Sequence, residues 1–571
     1  MSVRIAITGI GIVSALGVGK DENKHGLLHD RSGISEPVIL RTSHREWPVG
    51  EVPLTNRQLK QKLELNPDSP DFRNLYLALL AADEAVRDAG LSPEQTKAAS
   101  LVNGTTVGGM NVTEDFIAEW LDDNVREPSY LIQHEAHTTT MMISRFMGEM
   151  HSTTTVSTAC SSALNAIITG ANMLRTGEVE RVLAGGTEAL TRFHLNGFGS
   201  LGILSQNVCK PFQPDRDGIN LGEGAAYLVL EKESDALARG AHIYGYVAGY
   251  ANRCDAFHQT ASSPEGEGAF LAMQEALQMA GLKPDDIQYL NAHGTATPNN
   301  DASESRAIER LFGTPFMAGT EADEEAVANR WPEPRSTKHL TGHTTSASGA
   351  IEAVFCLMLM KERGYRYVLT NAFGFGGNDS SLVLSSVAKE LSEHQLVTPH
   401  VASFVQIDED VDVRTYLAPL QARRLTPQMR RLVVAAKQAL EQARIDKPDA
   451  IIVGTRFGGI KPTMTLLKSL VANGEQDFSP SLFMQSTHNT PASTLAILLG
   501  CHGYNTTFSV FCVSFEEAKE DAARLLSLDV VQSVLVCEYD EADEDWQRIL
   551  SHAEMHNPAV AKATVLMKKK N

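Results

Sequence analysis

The sequence predicts a large α/β protein with buried sheets, built from three similar units of which the last repeats the first. Short strands rich in Val, Ile and Leu alternate with alanine-rich helical stretches, as in Phe72 to Leu91 and Ala269 to Leu282. The 571 residues exceed one ordinary domain, and an apolar share of 43% is enough for several buried cores.

An internal repeat gives the order of these units. Without a gap, Gln133 to Leu183 aligns with Gln485 to Leu535, so that Cys160 meets Cys512. Glycine and polar positions agree as well as apolar ones. The residues from about His400 onward are therefore predicted to be a second copy of the first unit.

The predicted units are residues 1–235, residues 236–388 and residues 400–571. A polar link, Lys389 to Thr398, joins the last two. The charged segment Glu321 to Glu333 is predicted to be a surface loop. The Asp-rich turn Pro214 to Gly218 lacks the spacing of a calcium loop, so no metal site is expected.

Composition limits the partners and the compartment. The balance of 50 basic and 70 acidic side chains gives a formal charge of -20, which argues against nucleic acid and against an anionic membrane. The start, MSVRIAITGIGIVSALG, is typical of a buried strand and turn and not of a signal peptide. Seven cysteines without metal-ligand spacing indicate a reduced, cytoplasmic protein.

One cysteine lies where a nucleophile is expected. In STTTVSTACSSALNAIITGANMLRTG a β-like stretch ends at Cys160, and a helical pattern with Ala163, Ala166, Ile167 and Gly170 on one face follows. The amino terminus of a helix favours thiolate over thiol. We therefore expect the pKa of Cys160 to lie below the usual value of about 8.5.

Three more motifs follow the cysteine motif in order. They are NAHGTATPNNDASE with His293, STKHLTGHTTSASGAIEA with Lys338 and His343, and NAFGFGGNDSSLVL with Phe373 and Phe375. An isolated histidine is more often a core or surface residue than a catalyst, and an isolated FGFGG could serve only a tight turn. Four motifs in this order favour a catalytic set.

Together, these motifs resemble the condensing enzymes of the thiolase fold, of the β-ketoacyl-acyl carrier protein synthase I/II type, over about Val3 to Ser386. The resemblance implies a layered αβαβα fold of two similar halves, followed here by a third half. It implies decarboxylative Claisen condensation of a cysteine-bound acyl chain with malonyl-acyl carrier protein, in fatty acid or polyene/polyketide synthesis, without a cofactor. Acyl carrier protein and acyl and malonyl thioesters are the implied partners.

The resemblance also implies roles for the residues of the second half. His293 and His343 match the two histidines that promote decarboxylation and stabilise the enolate or the thioester oxyanion. Lys338 matches the lysine that orders this site, and Glu304 matches its acidic partner. Neutral imidazole N–H groups are suited to stabilise an enolate.

Cys160 matches the acyl-accepting nucleophile of the family. Its backbone N–H and that of Phe375 would form the oxyanion hole, and the Phe375 ring would gate the acyl pocket. The sequence departs from the family at Asn378 and Asp379, where Thr and Asn are familiar, and at Ala296, where Ser is common. These departures leave the substrate preference open.

The third half resembles the amino-terminal domain of chain-length-factor-like partners. It ends before any counterpart of His293, and Glu516 and Glu517 lie in the first helical turn after Cys512, so that cysteine is expected to be inactive. We expect the third half to complete the acyl pocket in an intrachain pseudo-dimer, although a homodimer stays open. The residues expected to contact the substrate are Val107, Tyr130, Thr295, Thr297, Phe373, Leu482 and Phe483.

An acidic carrier protein needs a local basic surface on this acidic chain. Lys210, Arg423 and Arg424 are the expected docking residues, because relatives place basic residues at these points. Two other functions compete with this interpretation. A non-catalytic chain-length partner is disfavoured by the intact catalytic set, and a thiolase acting on coenzyme A esters is disfavoured because this set is typical of decarboxylating enzymes.

Overall fold

A computed structural model describes residues 2–313, 333–409 and 411–569. The strands are β1 Ser2–Val3, β2 Ile5–Ser14, β3 Gly17–Val18, β4 Ser100–Gly104, β5 Ser152–Val156, β6 Arg181–Glu188, β7 Gly224–Lys232, β8 Gly245–Cys254, β9 Tyr289–Asn291, β10 Glu333–Arg335, β11 Tyr367–Gly374, β12 Asn378–Ser385, β13 Leu391–Ser392, β14 His400–Gln406, β15 Ala450–Gly454, β16 Tyr504–Phe508, β17 Ser533–Asp540 and β18 Val560–Met567. The α/β class predicted from the sequence is confirmed.

Helices lie between most of these strands. Their bounds are Lys20–Leu28, Asn56–Lys62, Arg73–Asp88, Pro93–Lys97, Met110–Leu121, Ala136–Phe146, Ser162–Arg175, Arg192–Ser200, Glu233–Ala238, Glu267–Ala280, Pro298–Phe312, Lys338–Thr341, Ser348–Arg363, Pro419–Arg424, Pro427–Ala443, Ile460–Asn473, Pro480–Gln485, Thr490–Leu499, Ser514–Ser527 and Glu544–Ser551. Among the described residues no helix is long and apolar enough to cross a bilayer. The surface loop predicted at residues 321–333 lies outside the described residues, apart from Glu333, which begins β10.

The sheet order shows how the third unit is attached. One sheet runs β10-β9-β11-β12-β8-β2-β7-β6-β4-β5-β16-β15-β17-β18-β14. Read outwards from the β5–β16 contact, the first unit has the strand order β5-β4-β6-β7-β2, and the third unit has the order β16-β15-β17-β18-β14. The two orders are equivalent, because strands at the same place in each order correspond to each other in the two copies. The third unit therefore takes the place that a twofold-related partner would take beside the first unit.

Two buried helices bring the first two units together. Ser162–Arg175 is buried along its whole length, and Ser348–Arg363 is buried along most of it. A Cβ at Gly349 would lie 2.6 Å from the Cβ of Leu164, so only glycine allows the helices to approach this closely. The crossing brings together the amino termini of both helices, where Cys160 and His343 lie.

The polar link Lys389 to Thr398 between the second and third units is docked on the first unit. Leu391 is buried, and β13 pairs antiparallel with β1 at the start of the chain. The guanidinium Nε of Arg175 donates to the carbonyl of Ser392 at 2.9 Å. Polar composition alone did not reveal this docking, because backbone pairing needs no apolar pattern.

Backbone hydrogen bonds join the third unit to the first. The N–H of Ser157 donates to the carbonyl of Thr507 at 2.9 Å, and the N–H of Ser509 donates to that of Thr155 at 3.0 Å. β5 and β16 thus cover each other's edges. An exposed strand edge would otherwise offer unpaired backbone groups to another chain.

A buried amide network extends this junction into the second unit. The Oδ1 of Asn378 accepts hydrogen bonds from Ser161 Oγ at 2.7 Å and from Asn165 Nδ2 at 2.8 Å, and its Nδ2 donates to the carbonyl of Asn505. The N–H of Asn505 donates to Asn252 Oδ1 at 2.8 Å. Asn378, a departure from the family pattern, therefore connects all three units.

We predict that removing the positive partner of the ion pair between the first and third units strongly destabilises the protein. Arg456 Nε donates to the buried Glu135 carboxylate at 2.7 Å. Arg456→Met would leave this carboxylate buried without a counter-charge, and should lower the free energy of unfolding by about 2 to 4 kcal/mol. Urea unfolding followed by fluorescence would measure the loss.

Two further variants test the cause. Adding Glu135→Gln to Arg456→Met should restore most of the lost free energy of unfolding, because no unpaired charge is then left buried at this position. Arg414→Met breaks a fully exposed pair with Asp412 and should leave the unfolding midpoint unchanged. Equal effects of the buried and the exposed variant would contradict the prediction.

Candidate active site

Cys160 lies in a tight turn between a strand and a helix. β5 ends at Val156, a single 3₁₀ turn spans Ala159–Ser161, and the helix starts at Ser162. Ala159 has a positive φ of 53°, which is unfavourable for a residue with a side chain. Such strain is found at positions that the surrounding structure holds firmly.

The FGFGG loop packs directly behind this turn. A Cβ at Gly374 would lie 2.7 Å from the carbonyl of Thr158 and 3.3 Å from the backbone N of Cys160, so a larger residue would push the loop away. The backbone N–H groups of Phe375 and of Cys160 itself lie close enough to favour the thiolate of Cys160. The expected oxyanion-hole donors therefore lie beside the sulfur.

Burial, however, outweighs these donors. Loss of hydration raises the pKa of the Cys160 thiol to about 12, while Lys338 and the two backbone N–H groups lower it in part. The prediction of a pKa below the usual value is therefore wrong. The sequence pattern locates the helix terminus but does not give the depth at which the thiol is buried.

His293 and His343 form an edge-to-face pair in the same pocket. Their ring centroids are 5.3 Å apart, and the planes are inclined at 83°. Lys338 Nζ lies 3.4 Å from His293 Nδ1. Because an ammonium group can only donate, Nδ1 accepts, and the neutral His293 ring carries its proton on Nε2.

Burial keeps both rings neutral. Loss of hydration, followed by the charge of Lys338, lowers the pKa of His293 and of His343 well below the usual value. His343 Nδ1 shares a hydrogen bond with Ser348 Oγ at 2.9 Å. Each neutral ring therefore offers one N–H donor, as predicted for this pair.

The acidic partner of Lys338 is Glu352 and not Glu304. Lys338 Nζ contacts Glu352 Oε1 at 2.6 Å, and both side chains are buried. Glu304 instead accepts the backbone N–H groups of His293 and Gly294, each at 2.8 Å. Burial raises the pKa of Glu304 to about 7. Glu352 belongs to the STKHLTGHTTSASGAIEA motif, but the motif alone does not show that its carboxylate faces Lys338.

The catalytic pocket has a volume of about 320 Å³. Besides the cysteine and the two histidines, it is lined by Thr295, Thr297 and Phe373 from the expected substrate-binding set. Asp379 also lines it, opposite Phe373 in the register of β11 and β12. Burial and the charge of Asp255 raise the pKa of Asp379 well above its usual value.

A smaller cavity of about 40 Å³ lies between the first and third units, and Val107 and Phe483 line it. Tyr130 and Leu482 are not among the described residues that line either cavity. The Tyr130 ring packs instead against Phe72 and Phe116, with ring centroids 5.9 Å and 5.1 Å away. These two aromatic neighbours hold the Tyr130 ring, and its contact with the substrate stays a prediction.

The third unit also touches the FGFGG loop. Asn489 Nδ2 donates to the carbonyl of Phe375 at 2.8 Å. Gly376 has a φ of +87°, and a Cβ there would lie 2.7 Å from the Cβ of Ser493. The loop that bears a predicted oxyanion donor is thus held by a residue that sequence motifs did not single out.

The expected docking residues lie on the surface. Arg423 and Arg424 are exposed and line a groove of about 680 Å³. His258 lines both this groove and the catalytic pocket, so the two are adjacent. Lys210 is exposed but forms an ion pair with Asp215, which partly neutralises its charge.

We predict that the rate of alkylation of Cys160 rises with pH and reaches no plateau up to pH 9.5. Only the thiolate reacts, so a raised pKa should give a rate that rises about tenfold per pH unit between pH 7 and pH 9.5. The experiment uses the Cys512→Ala variant, because it lacks the exposed cysteine. Peptide mass mapping would measure the rate at which iodoacetamide modifies Cys160. A rate that levels off below pH 9 would contradict the raised pKa.

Family comparisons agree with this arrangement. Residues 2–236 match the Beta-ketoacyl synthase N-terminal domain, residues 244–366 match the C-terminal domain, and residues 398–571 match another N-terminal domain family of the same description. A 3-oxoacyl-[acyl-carrier-protein] synthase 2 of Staphylococcus aureus is 32% identical over 422 residues, which cover 67% of this chain and 98% of that protein.

Two solved structures are similar. The ishigamide ketosynthase/chain length factor structure is 29% identical with a TM-score of 0.61, over 68% of this chain and 100% of that one. The structure of PfaC Keto synthase-Chain length factor is 17% identical with a TM-score of 0.79, and the match covers 99% of this chain and 78% of that one. The thiolase-like fold with an added half is confirmed. The chain therefore belongs to the β-ketoacyl synthase family of acyltransferase-class condensing enzymes, with a third half of the amino-terminal type fused to its end.

Proposed function

We propose that this chain is a cytoplasmic β-ketoacyl-acyl carrier protein synthase that extends an acyl chain in fatty acid or polyene/polyketide synthesis. The supporting observation is the meeting of Cys160, His293 and His343 in one pocket beside the Phe375 loop. The Lys338 Nζ contacts the Nδ1 atom of His293. Each half of the enzyme thus supplies a part of the chemistry that neither has alone.

Acyl transfer is the first reaction. The Cys160 sulfur attacks the carbonyl carbon of an acyl thioester on the carrier protein, and the carrier thiol leaves with the proton. The backbone N–H groups of Cys160 and Phe375 would hold the oxyanion of the tetrahedral intermediate. Because the free thiol is held protonated by burial, thiolate formation is coupled to substrate entry.

Condensation is the second reaction. Malonyl thioester loses carbon dioxide, and the N–H groups of His293 and His343 stabilise the resulting enolate oxygen. The enolate carbon attacks the acyl carbon on Cys160, so that a carbon–carbon bond forms and the carbon–sulfur bond breaks. Lys338 is a positioning residue, because its contact with His293 Nδ1 directs the Nε2 proton into the site.

The third unit completes the site without reacting. Cys512 is exposed, and it is not among the described residues that line the catalytic pocket. Phe483 closes the smaller cavity from this side, and Asn489 holds the Phe375 carbonyl. The unit would therefore act as the chain-length-determining partner of the other two.

We predict that Cys160→Ala abolishes acylation and condensation, since Cys160 is the thiol in the catalytic pocket. Cys512→Ala is the matched control and should keep more than half of the turnover, because its thiol lies on the surface. Transfer of a radiolabelled acyl group to each variant measures this. Undiminished labelling of Cys160→Ala would remove the cysteine from the mechanism.

We further predict that an acidic carrier protein docks on the groove of Arg423 and Arg424. Arg423→Glu with Arg424→Glu should raise the apparent KM for the acyl carrier protein severalfold and flatten its dependence on salt. Lys361→Glu with Arg363→Glu makes the same charge change on an exposed helix end outside the groove, and should have little effect.

Small acyl thioesters separate docking from folding. They do not need the carrier surface, so their steady-state rates should be unchanged by either double variant. Equal loss with both kinds of substrate, or equal loss in both double variants, would argue against this docking surface.

A further inference from the structure

The small cavity between the first and third units has an unusual wall. Phe193 and Phe483 give it an apolar part, but it is also lined by His134, His194 and His488. The first two histidines come from the first unit and the third comes from the added unit. An acyl site for a saturated chain has no need of three imidazole rings in its wall.

These rings are neutral. Burial lowers the pKa of His134 to about 3, that of His194 to about 4 and that of His488 to about 4. The cavity therefore offers hydrogen bonds without offering positive charge. A carboxylate or phosphate would be poorly held there, whereas a neutral oxygen would find donors.

His194 is the ring without a partner. Its backbone N–H is satisfied by Thr191 Oγ1 at 3.0 Å, but among the described residues no hydrogen bond to its ring is found. The side chain is nevertheless buried, with 7% of the residue exposed, and it lines the cavity. In contrast, His134 Nδ1 contacts Thr113 Oγ1 at 3.0 Å, and His488 Nδ1 contacts the carbonyl of Thr106 at 3.1 Å.

The cavity lies next to the reacting groups. The Phe198 and Phe375 rings stack 5.5 Å apart, and both line the catalytic pocket. Phe198 also packs against Phe483 at 5.6 Å and against His194 at 6.4 Å. An acyl chain on Cys160 would therefore reach His194 once these aromatic rings move aside.

We propose, on the basis of the proposed function, that His194 makes the distal acyl site selective for chains bearing a neutral keto or hydroxyl oxygen. Either tautomer of the ring presents one N–H donor and one acceptor nitrogen. A saturated chain would displace water from the ring and leave it unpaired, whereas an oxygen on the chain would replace that water. The first unit would thus read the oxidation state of the chain through His194, in a cavity whose other wall belongs to the chain-length unit.

The experiment compares matched primers on the carrier protein: butanoyl, octanoyl, 5-oxooctanoyl and 7-oxooctanoyl. We expect at least one oxo primer to exceed octanoyl by about tenfold in kcat/KM, the usual effect of leaving one buried polar group unpaired. His194→Phe should abolish or reverse this preference and leave butanoyl, which is too short to reach the ring, unchanged. His194→Gln keeps a donor and an acceptor and should retain part of the preference.

His242→Phe is the matched control, because it replaces an exposed imidazole outside both cavities. Equal kcat/KM for oxo and saturated primers in the wild type would overturn the proposal, as would a preference that survives His194→Phe. An equal loss with butanoyl would also overturn it, since His194 would then act on the His343 centre or on folding.

Acylation keeps this result separate from the proposed function. Intact-mass measurement of the acyl group on Cys160 gives the primer preference even if no condensation follows. Wild-type protein that is acylated selectively but forms no β-ketoacyl product would contradict the proposed condensation only. Acylation at equal rates by oxo and saturated primers would contradict the selectivity only.

Discussion

The antiparallel contact between β5 and β16 is the constraint on which the rest of the molecule depends. It covers a strand edge directly beside the turn that holds Cys160, and it fixes the third unit against the first. Three features follow from this placement: Asn489 reaches the Phe375 loop, Asn505 reaches the amide network, and Phe483 reaches the small cavity. Without the covered edge, the FGFGG loop would lose a supporting hydrogen bond.

Burial gives the site its chemical character. The same loss of hydration that keeps the thiol of Cys160 protonated keeps His293 and His343 neutral, so they are donors and not cations. Lys338 retains a close counter-charge in Glu352, which allows a charged group to exist at this depth. The same environment thus favours the histidine donors, which must keep their protons, and opposes the cysteine nucleophile, which must lose its proton.

Sequence patterns predicted the class, the repeat and the residues with distinctive motifs, because the spacing around Cys160 and the two histidines is unusual. They could not predict which side chains meet in the folded chain. Glu352 stands in a motif and Asn489 stands just before the helix Thr490–Leu499, but only the three-dimensional packing brings them to Lys338 and Phe375. The depth of the thiol and the aromatic neighbours of Tyr130 are likewise results of packing, which pattern and periodicity do not encode.

Fusion of the third unit has an evolutionary consequence. In a symmetric homodimer every substitution occurs twice, so a change that improves one wall of the acyl site also alters the corresponding surface of the other protomer. Here Phe483 and His488 can vary while the residues they repeat in the first unit stay fixed. One gene then encodes both the catalytic units, whose residues are under strict selection, and the third unit, whose residues are free to diverge. The two parts are always made in equal amounts.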